Sequence, residues 1–242
     1  MKAVILAAGL GTRFNNEFDG RPKPLVQLLD KPLIAYTLEA LEGVDVEEVL
    51  VVTGYRGEEV RDAVKSWYTG KVSFASNPRF HEGLSYSLAA AQSFCAADPF
   101  LLLMSDHVFS IELLELLQSQ AALLSLDKEV SFIASDVSSR PEDYVQEATK
   151  LVIGSDNLVS QIGKDLKESK ILDTGAFYCT FAIWKALESA PDNCSLSRVF
   201  EELCAQQLLC SVDVTGCFWY DIDTPDDLKN AEVSLLQVLS DN

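Results

Sequence analysis

Three groups of residues in this 242-residue chain could do chemistry on phosphate esters. The first is Gly9-Leu10-Gly11-Thr12-Arg13, directly after the apolar run Ala3–Ala8, with Arg21-Pro22-Lys23-Pro24 close behind it. Gly9 and Gly11 remove Cβ atoms that would obstruct a tight turn and the close approach of a phosphate chain, and the backbone N–H groups of such a turn form an anion-binding concavity. Arg13 adds a planar donor fork, and Lys23 adds a point charge whose backbone is fixed by proline on both sides. The second group is Asp106, at the C-terminal end of the apolar run Phe100–Met104, where open α/β sheets place their ligands. The third is Asp221-Ile222-Asp223, whose two carboxylates point to one side if the segment is extended. Like charges held together call for a cation between them, and oxygen-only ligands suit Mg2+. Plainer readings exist: a strand-to-loop turn for the glycines, a cap for Asp106, and helix N-terminal decoration for Asp221 and Asp223. Asp226 and Asp227 already fill that last role.

The elements that must hold these residues alternate. Strands are expected at Ala3–Ala8, Glu48–Thr53, Lys71–Ala75, Phe100–Met104 and Val130–Ala134. Helices are expected from Asp30-Lys31-Pro32-Leu33, with Asp30 as cap, to near Gly43, and then through Val60, Ala63, Val64 and Trp67, which share one face. Two more are expected at Ser85–Cys95 and Ile111–Leu124. This alternation predicts βαβ units, and hence a Rossmann-like α/β fold with a mostly parallel sheet and helices on both faces. The pattern changes after about Arg140. Thr149–Ile153 and Leu158–Ile162 read as a small β-hairpin joined by Gly154-Ser155-Asp156-Asn157. Ala176–Thr180 and Cys210–Val214 read as strands, Phe181–Ala190 and Ser197–Gln206 as helices. The last helix is capped by Thr224 with Pro225 in its first position. One domain over residues 1–242 is expected, with a lid-like acceptor-side insertion at about 140–180. Tyr55, Trp67, Trp184 and Trp219 are expected to pack.

Composition excludes several classes. Nineteen basic residues against thirty-seven acidic ones give a net charge of −18, which argues against nucleic-acid or anionic-membrane binding. Six cysteines form no C-x-x-C pair and only two histidines are present, so metal-finger spacing is missing. Cys95 and Cys179 lie in apolar runs and read as core thiols of a reducing compartment. No apolar run approaches the ~20 residues that span a bilayer, and the first strand leads into a glycine turn rather than a cleavage site. A cytoplasmic location is expected. The glycine turn is neither a dinucleotide fingerprint, since Phe14 stands where the third Gly is needed, nor a Walker loop.

The pairing of L-A-A-G-L-G-T-R with R-P-K-P-L resembles the signature of the sugar-phosphate nucleotidyltransferases, and the likeness runs from residue 1 to about 235. It implies an enzyme that joins a nucleoside triphosphate to a phosphate monoester and releases pyrophosphate. It implies that Asp106 and Asp223, with Asp221 as neighbour, hold Mg2+ at the α-phosphate. Arg13 would contact the departing phosphates and Lys23 the α-phosphate. Leu6, Ala7, Ala8, Gly9, Gly11 and Thr12, with Gly83, Ser85 and Ser87, would enclose the nucleotide. Met104–Val108, Glu147–Lys150, Ile162–Leu166 and Asp173–Phe177 resemble the cytidylyltransferases that use CTP and inositol 1-phosphate. That likeness implies Lys164 for the acceptor phosphate, and Asp173 and Gly175 for polyol hydroxyls. Gly83-Leu84-Ser85-Tyr86-Ser87-Leu88 departs from their Gly-Asn-Gly-Tyr-Ser-Leu toward the Gly-x-Ser-x-Ser-Leu of molybdenum-cofactor cytidylyltransferases, which bears on base preference. Other acceptors are alternatives: choline phosphate, an aminophosphonate, a hexose 1-phosphate or a molybdopterin. So is a silent nucleotide-binding regulatory subunit, against which the presence of Arg13, Lys23 and Asp106 counts. His81 and His107 are not needed as bases, because a phosphate monoester with a second pKa of about 6 is already largely dianionic at pH 7. Such domains are often fused to a membrane-embedded alcohol phosphotransferase, so the chain is expected to be free-standing or part of a longer protein.

Overall fold

The apolar run that opens the chain forms β1 (Lys2–Ala7), which lies inside the main sheet of the computed structural model. The structure describes residues 1–11, 20–124 and 129–241, so Thr12 and Arg13 lie outside the described residues. A 3-10 turn at Lys23–Leu25 leads into a ribbon of β2 (Gln27–Leu28) and β3 (Lys31–Pro32). Next come α1 (Leu33–Glu42), β4 (Glu48–Thr53), α2 (Gly57–Trp67) and β5 (Val72–Ser76). They are followed by α3 (Leu84–Ala89), α4 (Gln92–Cys95), β6 (Phe100–Met104), β7 (His107–Phe109), α5 (Ile111–Leu124) and β8 (Ser131–Val137). After α6 (Glu142–Glu147) the chain forms the hairpin β9 (Lys150–Ile153) and β10 (Val159–Gly163), then the long strand β11 (Ile171–Cys179). It ends through α7 (Ala182–Ser189), α8 (Leu196–Ala205), β12 (Leu209–Asp213), β13 (Trp219–Asp221) and α9 (Pro225–Asp241).

The main sheet runs β10-β9-β11-β6-β1-β4-β5, with β8 pairing β11 and β12 off this path. β6, β1, β4 and β5 are mutually parallel, and β1 is paired on both sides, Leu6 with Val52 and with Met104. Alternation along β1 sends Ala3, Ile5 and Ala7 into one core with Ile34, Leu38, Leu113 and Leu117, and Val4 and Leu6 into another with Leu88, Ile183 and Phe200. Burial on both faces explains why the strand reads as a continuous apolar run, each large side chain contributing about 1.5–3 kcal/mol. Because β1 and β6 are parallel and in register, the glycine turn after one and Asp106 after the other leave the sheet at the same edge. β11 is antiparallel to β6, so its first residues, Asp173 to Gly175, lie at that edge too. A separate antiparallel pair sets β13 against β7, with Asp221 opposite His107. A third core of Val26, Leu28, Leu33, Tyr220, Ile222 and Leu228 ties the Lys23 segment to the end of β13 and to α9.

The expected helix Ser85–Cys95 is two short helices, because Ala91 N–H turns back to Leu88 and breaks the α register. Asp30 is not the cap of α1; Pro32 precedes the helix and the Leu33 N–H donates to the Val26 carbonyl. Trp67 is 41% exposed, because α2 ends there and Tyr68 is buried instead. Trp184 and Trp219 are buried, and all six cysteines are free thiols. Thr224 and Asp227 cap α9 reciprocally: Asp227 Oδ2 accepts from the Thr224 N–H at 2.8 Å, and Thr224 Oγ1 accepts from the Asp227 N–H at 3.1 Å. Among the described residues no helix is long and apolar enough to cross a membrane.

Candidate functional site

A cavity of about 420 Å3 opens where β1 runs out. Gly9, Leu10 and Gly11 form one wall, Phe80, His81, Gly83 and Leu84 another, and Lys23, Asp106 and Asp223 meet across it. Gly11 adopts φ +58°, and a Cβ there would lie 2.8 Å from the Lys23 Cβ, so the glycine lets the turn close onto the lysine. Gly83 is fixed in the same way on the other wall, with φ +143° and the Cys194 carbonyl 2.8 Å from its virtual Cβ. Of the residues expected to enclose a nucleotide, Leu6, Gly9, Gly11 and Gly83 line this cavity. Ala7 and Ala8 are buried behind the turn. Ser85 and Ser87 do not line it: both are buried, and Ser87 Oγ accepts a hydrogen bond from Asn77 Nδ2 at 2.9 Å. Leu84 takes their place, because α3 begins there and its turn carries the two serines inward.

Lys23 is only 8% exposed, and its ammonium donates to Asp106 Oδ2 at 2.7 Å and to Asp223 Oδ1 at 2.5 Å. The other oxygen of Asp106 lies 2.9 Å from His107 Nδ1, which is also 3.7 Å from Asp221 Oδ1. Burial alone would push the Lys23 pKa down, but Asp106, Asp221 and Asp223 outweigh it and hold the ammonium above the ordinary lysine value. Burial likewise opposes the imidazolium of His107, yet Asp221 and Asp106 raise it to about 9. Burial would also raise the Asp106 carboxyl, but Lys23 and His107 prevail and hold it well below the usual carboxylate range. Asp221 moves the other way, raised by burial despite the pull of His107 and further by the neighbouring Asp223 charge. The two carboxylates of Asp221-Ile222-Asp223 therefore share one site with different partners, Asp223 toward Lys23 and Asp221 toward His107.

A divalent ion fits this donor set. Carboxylate oxygens of Asp106 and Asp221 lie within 4.8 Å of each other beside the His107 imidazolium, and Asp221 Oδ1 is buried with no hydrogen-bond partner among the described residues. Hard carboxylate oxygens with one unused buried acceptor are what a small oxygen-seeking cation requires. His107, which the reaction does not need as a base, stands at the centre of this cluster. Its signal in the sequence is adjacency to Asp106 in a chain with only two histidines.

A second cavity, of about 250 Å3, adjoins the first and shares Leu84, Met104, Asp106 and Asp223 with it. Lys164, Asp173 and Gly175 all line it. Lys164 is exposed and directly follows β10. Asp173 Oδ1 accepts the Gly175 N–H at 2.8 Å, and burial pushes its carboxyl up to about 6. Gly175 has φ +77°, and a Cβ there would come within 2.5 Å of His107 Cδ2, so this glycine makes room for the imidazole. Beyond Asp221 and Asp223 lies a third cavity, lined also by Asp143, Glu147, Asp226 and Asp227, whose charge suits no phosphate.

The sequence model of the MobA-like NTP transferase domain matches residues 3–151. A protein of Archaeoglobus fulgidus named bifunctional IPC transferase and DIPP synthase is 32% identical over 98% of this chain and 44% of its own length. Its namesake from Thermococcus kodakarensis is 30% identical over 98% of this chain and 51% of its own. The chain thus spans about half the length of these relatives. Among solved structures, the inositol-1-phosphate CTP transferase from T. maritima superposes with a TM-score of 0.80 at 23% identity, covering 96% of this chain and 94% of that one.

Proposed function

The chain belongs to the MobA-like NTP transferase domain family, and from that premise we propose that it transfers the CMP group of CTP to inositol 1-phosphate, releasing pyrophosphate. The observation that carries this reading is the meeting of two cavities at one charge cluster, with Leu84, Met104, Asp106 and Asp223 common to both. A triphosphate in the larger cavity and a phosphomonoester in the smaller would bring acceptor oxygen and α-phosphorus together there. The printed names of the relatives and of the solved structure support CTP and an inositol phosphate as the pair. We read residues 1–242 as one such domain, with about 140–180 as its acceptor side. The six free thiols fit a cytoplasmic location.

In the reaction, an oxygen of the acceptor phosphate bonds to the α-phosphorus as the bond to the β-phosphate oxygen breaks, and pyrophosphate leaves. The acceptor is already dianionic, its second pKa being about 6, so no side chain need take a proton. Catalysis is positioning plus neutralisation of charge. The backbone of Gly9 to Gly11 approaches the triphosphate, Arg13 takes the departing phosphates, and the Lys23 ammonium serves the α-phosphate. Lys164 meets the acceptor phosphate at the cavity rim, and Asp173 accepts from polyol hydroxyls. Asp106, Asp221 and Asp223 would hold Mg2+, which when bound neutralises phosphate charge and favours in-line displacement. The test is a screen of four triphosphates against a panel of phosphomonoesters, with pyrophosphate release as the signal. CTP with inositol 1-phosphate should give the highest kcat/KM. No turnover with any pair would remove the enzyme reading. Turnover of choline phosphate, an aminoalkylphosphonate or a hexose 1-phosphate with refusal of inositol 1-phosphate would remove the polyol assignment alone.

A further inference from the structure

β13 is a three-residue strand whose only strand partner among the described residues is β7. Side chains add to this: Trp219 Nε1 donates to Asp136 Oδ2 at 3.0 Å, Tyr220 lies in the third core, and the segment around α6 supplies a further set of contacts. The Arg140 guanidinium lies over three rings at once, 4.3 Å from the centre of Trp219, 4.6 Å from Tyr220 and 4.8 Å from Tyr144. It also donates from Nη2 to the Trp219 carbonyl. The Tyr144 hydroxyl accepts the backbone N–H of Asp221 at 3.3 Å, and its ring meets Trp219 and Tyr220 at steep angles. At the other end of α6, buried Lys150 donates to the carbonyls of Val145, Gln146 and Ala148, at 2.9, 3.1 and 3.1 Å. These are carbonyls that a helix end leaves without partners, so α6 is pinned at both ends. Tyr144, Ala148 and Thr149 line the acceptor cavity. One short helix therefore touches both the acceptor cavity and the strand that delivers Asp221 and, just beyond it, Asp223.

We propose that Arg140 is a positioning residue: through Tyr144, Trp219 and Tyr220 it sets β13, and so couples the acceptor side to the placement of Asp221 and Asp223. The planar guanidinium suits this because it stacks on several rings while one edge donates to the backbone, which an ammonium cannot do in the same pose. The kinetic part of the inference rests on the proposed nucleotidyl transfer; the structural part does not. Both are read on the full chain with Arg140→Ala, Arg140→Lys and Tyr144→Phe, the last removing only the acceptor for the Asp221 N–H. Hydrogen exchange in the peptide covering 219–223 should accelerate about tenfold or more in Arg140→Ala, less in the other two, with β1 and β4 unchanged. Half-saturating Mg2+ and the acceptor KM should rise about 10–100-fold in Arg140→Ala, as when partners that orient metal ligands are lost, with Arg140→Lys intermediate and the KM for CTP nearly constant. Unchanged exchange at 219–223, or acceleration spread evenly over the chain, overturns the inference. So does local acceleration with Mg2+ dependence, acceptor KM and kcat all as in wild type. If the wild-type protein does not turn over CTP and inositol 1-phosphate, the proposed function falls, and the exchange pattern alone decides the role of Arg140.

Discussion

Replacing Asp173 by Asn should stabilise the protein, and the gain should grow with pH. Asp173 lies near the start of β11 on the wall of the smaller cavity. Burial raises its pKa from the ordinary 3.8 to about 6, with the Gly175 N–H and the His107 charge pulling the other way. The folded protein thus holds this proton more tightly than the unfolded chain. Stability from this group is complete below about pH 3.8 and is lost as pH rises through 6. About two pKa units at 1.36 kcal/mol each make roughly 3 kcal/mol, nearly all lost by about pH 7 and about half lost at pH 5. Asn keeps an oxygen for the Gly175 N–H and carries no charge, so it escapes the loss. Urea unfolding of both proteins in EDTA from pH 5 to 8 checks this, since titrations of groups that do not interact with Asp173 cancel in the difference. The advantage of Asp173→Asn should widen by about 1.4 kcal/mol across that range. A difference that stays flat to within about 0.5 kcal/mol would refute the raised pKa and the burial argument behind it. A carboxylate kept ionised at this cost is expected to serve the cavity it lines. The same variant should therefore discriminate less well among acceptors that share a phosphate and differ in hydroxyls.

The remaining expectations concern the charge cluster. Asp106→Asn and Asp223→Asn should each lower turnover on the order of 10²–10³, and EDTA should abolish wild-type activity until Mg2+ is restored; full activity in chelator sinks the metal assignment. Lys23→Ala should reduce kcat more than it weakens CTP binding, because charge develops at the α-phosphate in the transition state; an unchanged kcat with only a raised KM would assign Lys23 to ground-state binding. Gly175→Ala should lower kcat/KM about a hundredfold by driving a Cβ to within 2.5 Å of His107 Cδ2; activity within about twofold of wild type would show that the imidazole can move freely.

Lys23 meets Asp106 and Asp223 across separations of 83 and 200 residues, and each of the three is legible as a local pattern. A proline-flanked lysine, an acid at a strand end and a D-x-D before a helix can be read without the fold. Their pairing cannot. It depends on β13 lying antiparallel to β7, and two three-residue strands carry too little alternation to announce themselves. Nothing in the sequence calls for His107, because the reaction needs no base, whereas its place here is that of a charged partner between Asp106 and Asp221. Ser85 and Ser87 lie outside the cavity lining for another reason: a string of motif residues says nothing about which face of α3 they occupy. The most informative difference is β11, whose strand is expected only over Ala176–Thr180, after Asp173-Thr174-Gly175. The strand in fact runs through all three residues. Thr174 is fully buried there and satisfies its hydroxyl on the Ala134 carbonyl at 3.0 Å. The ladder with β8 shifts register between Asp173 and Phe177, and Gly175 takes a positive φ. A buried carboxylate, an unpaired register and a left-handed residue in one strand each oppose folding, and local propensity votes against them. Their coincidence on the wall of the smaller cavity is the pattern of a strand shaped for a ligand, since sequences depart from their own local rules chiefly where a site demands it.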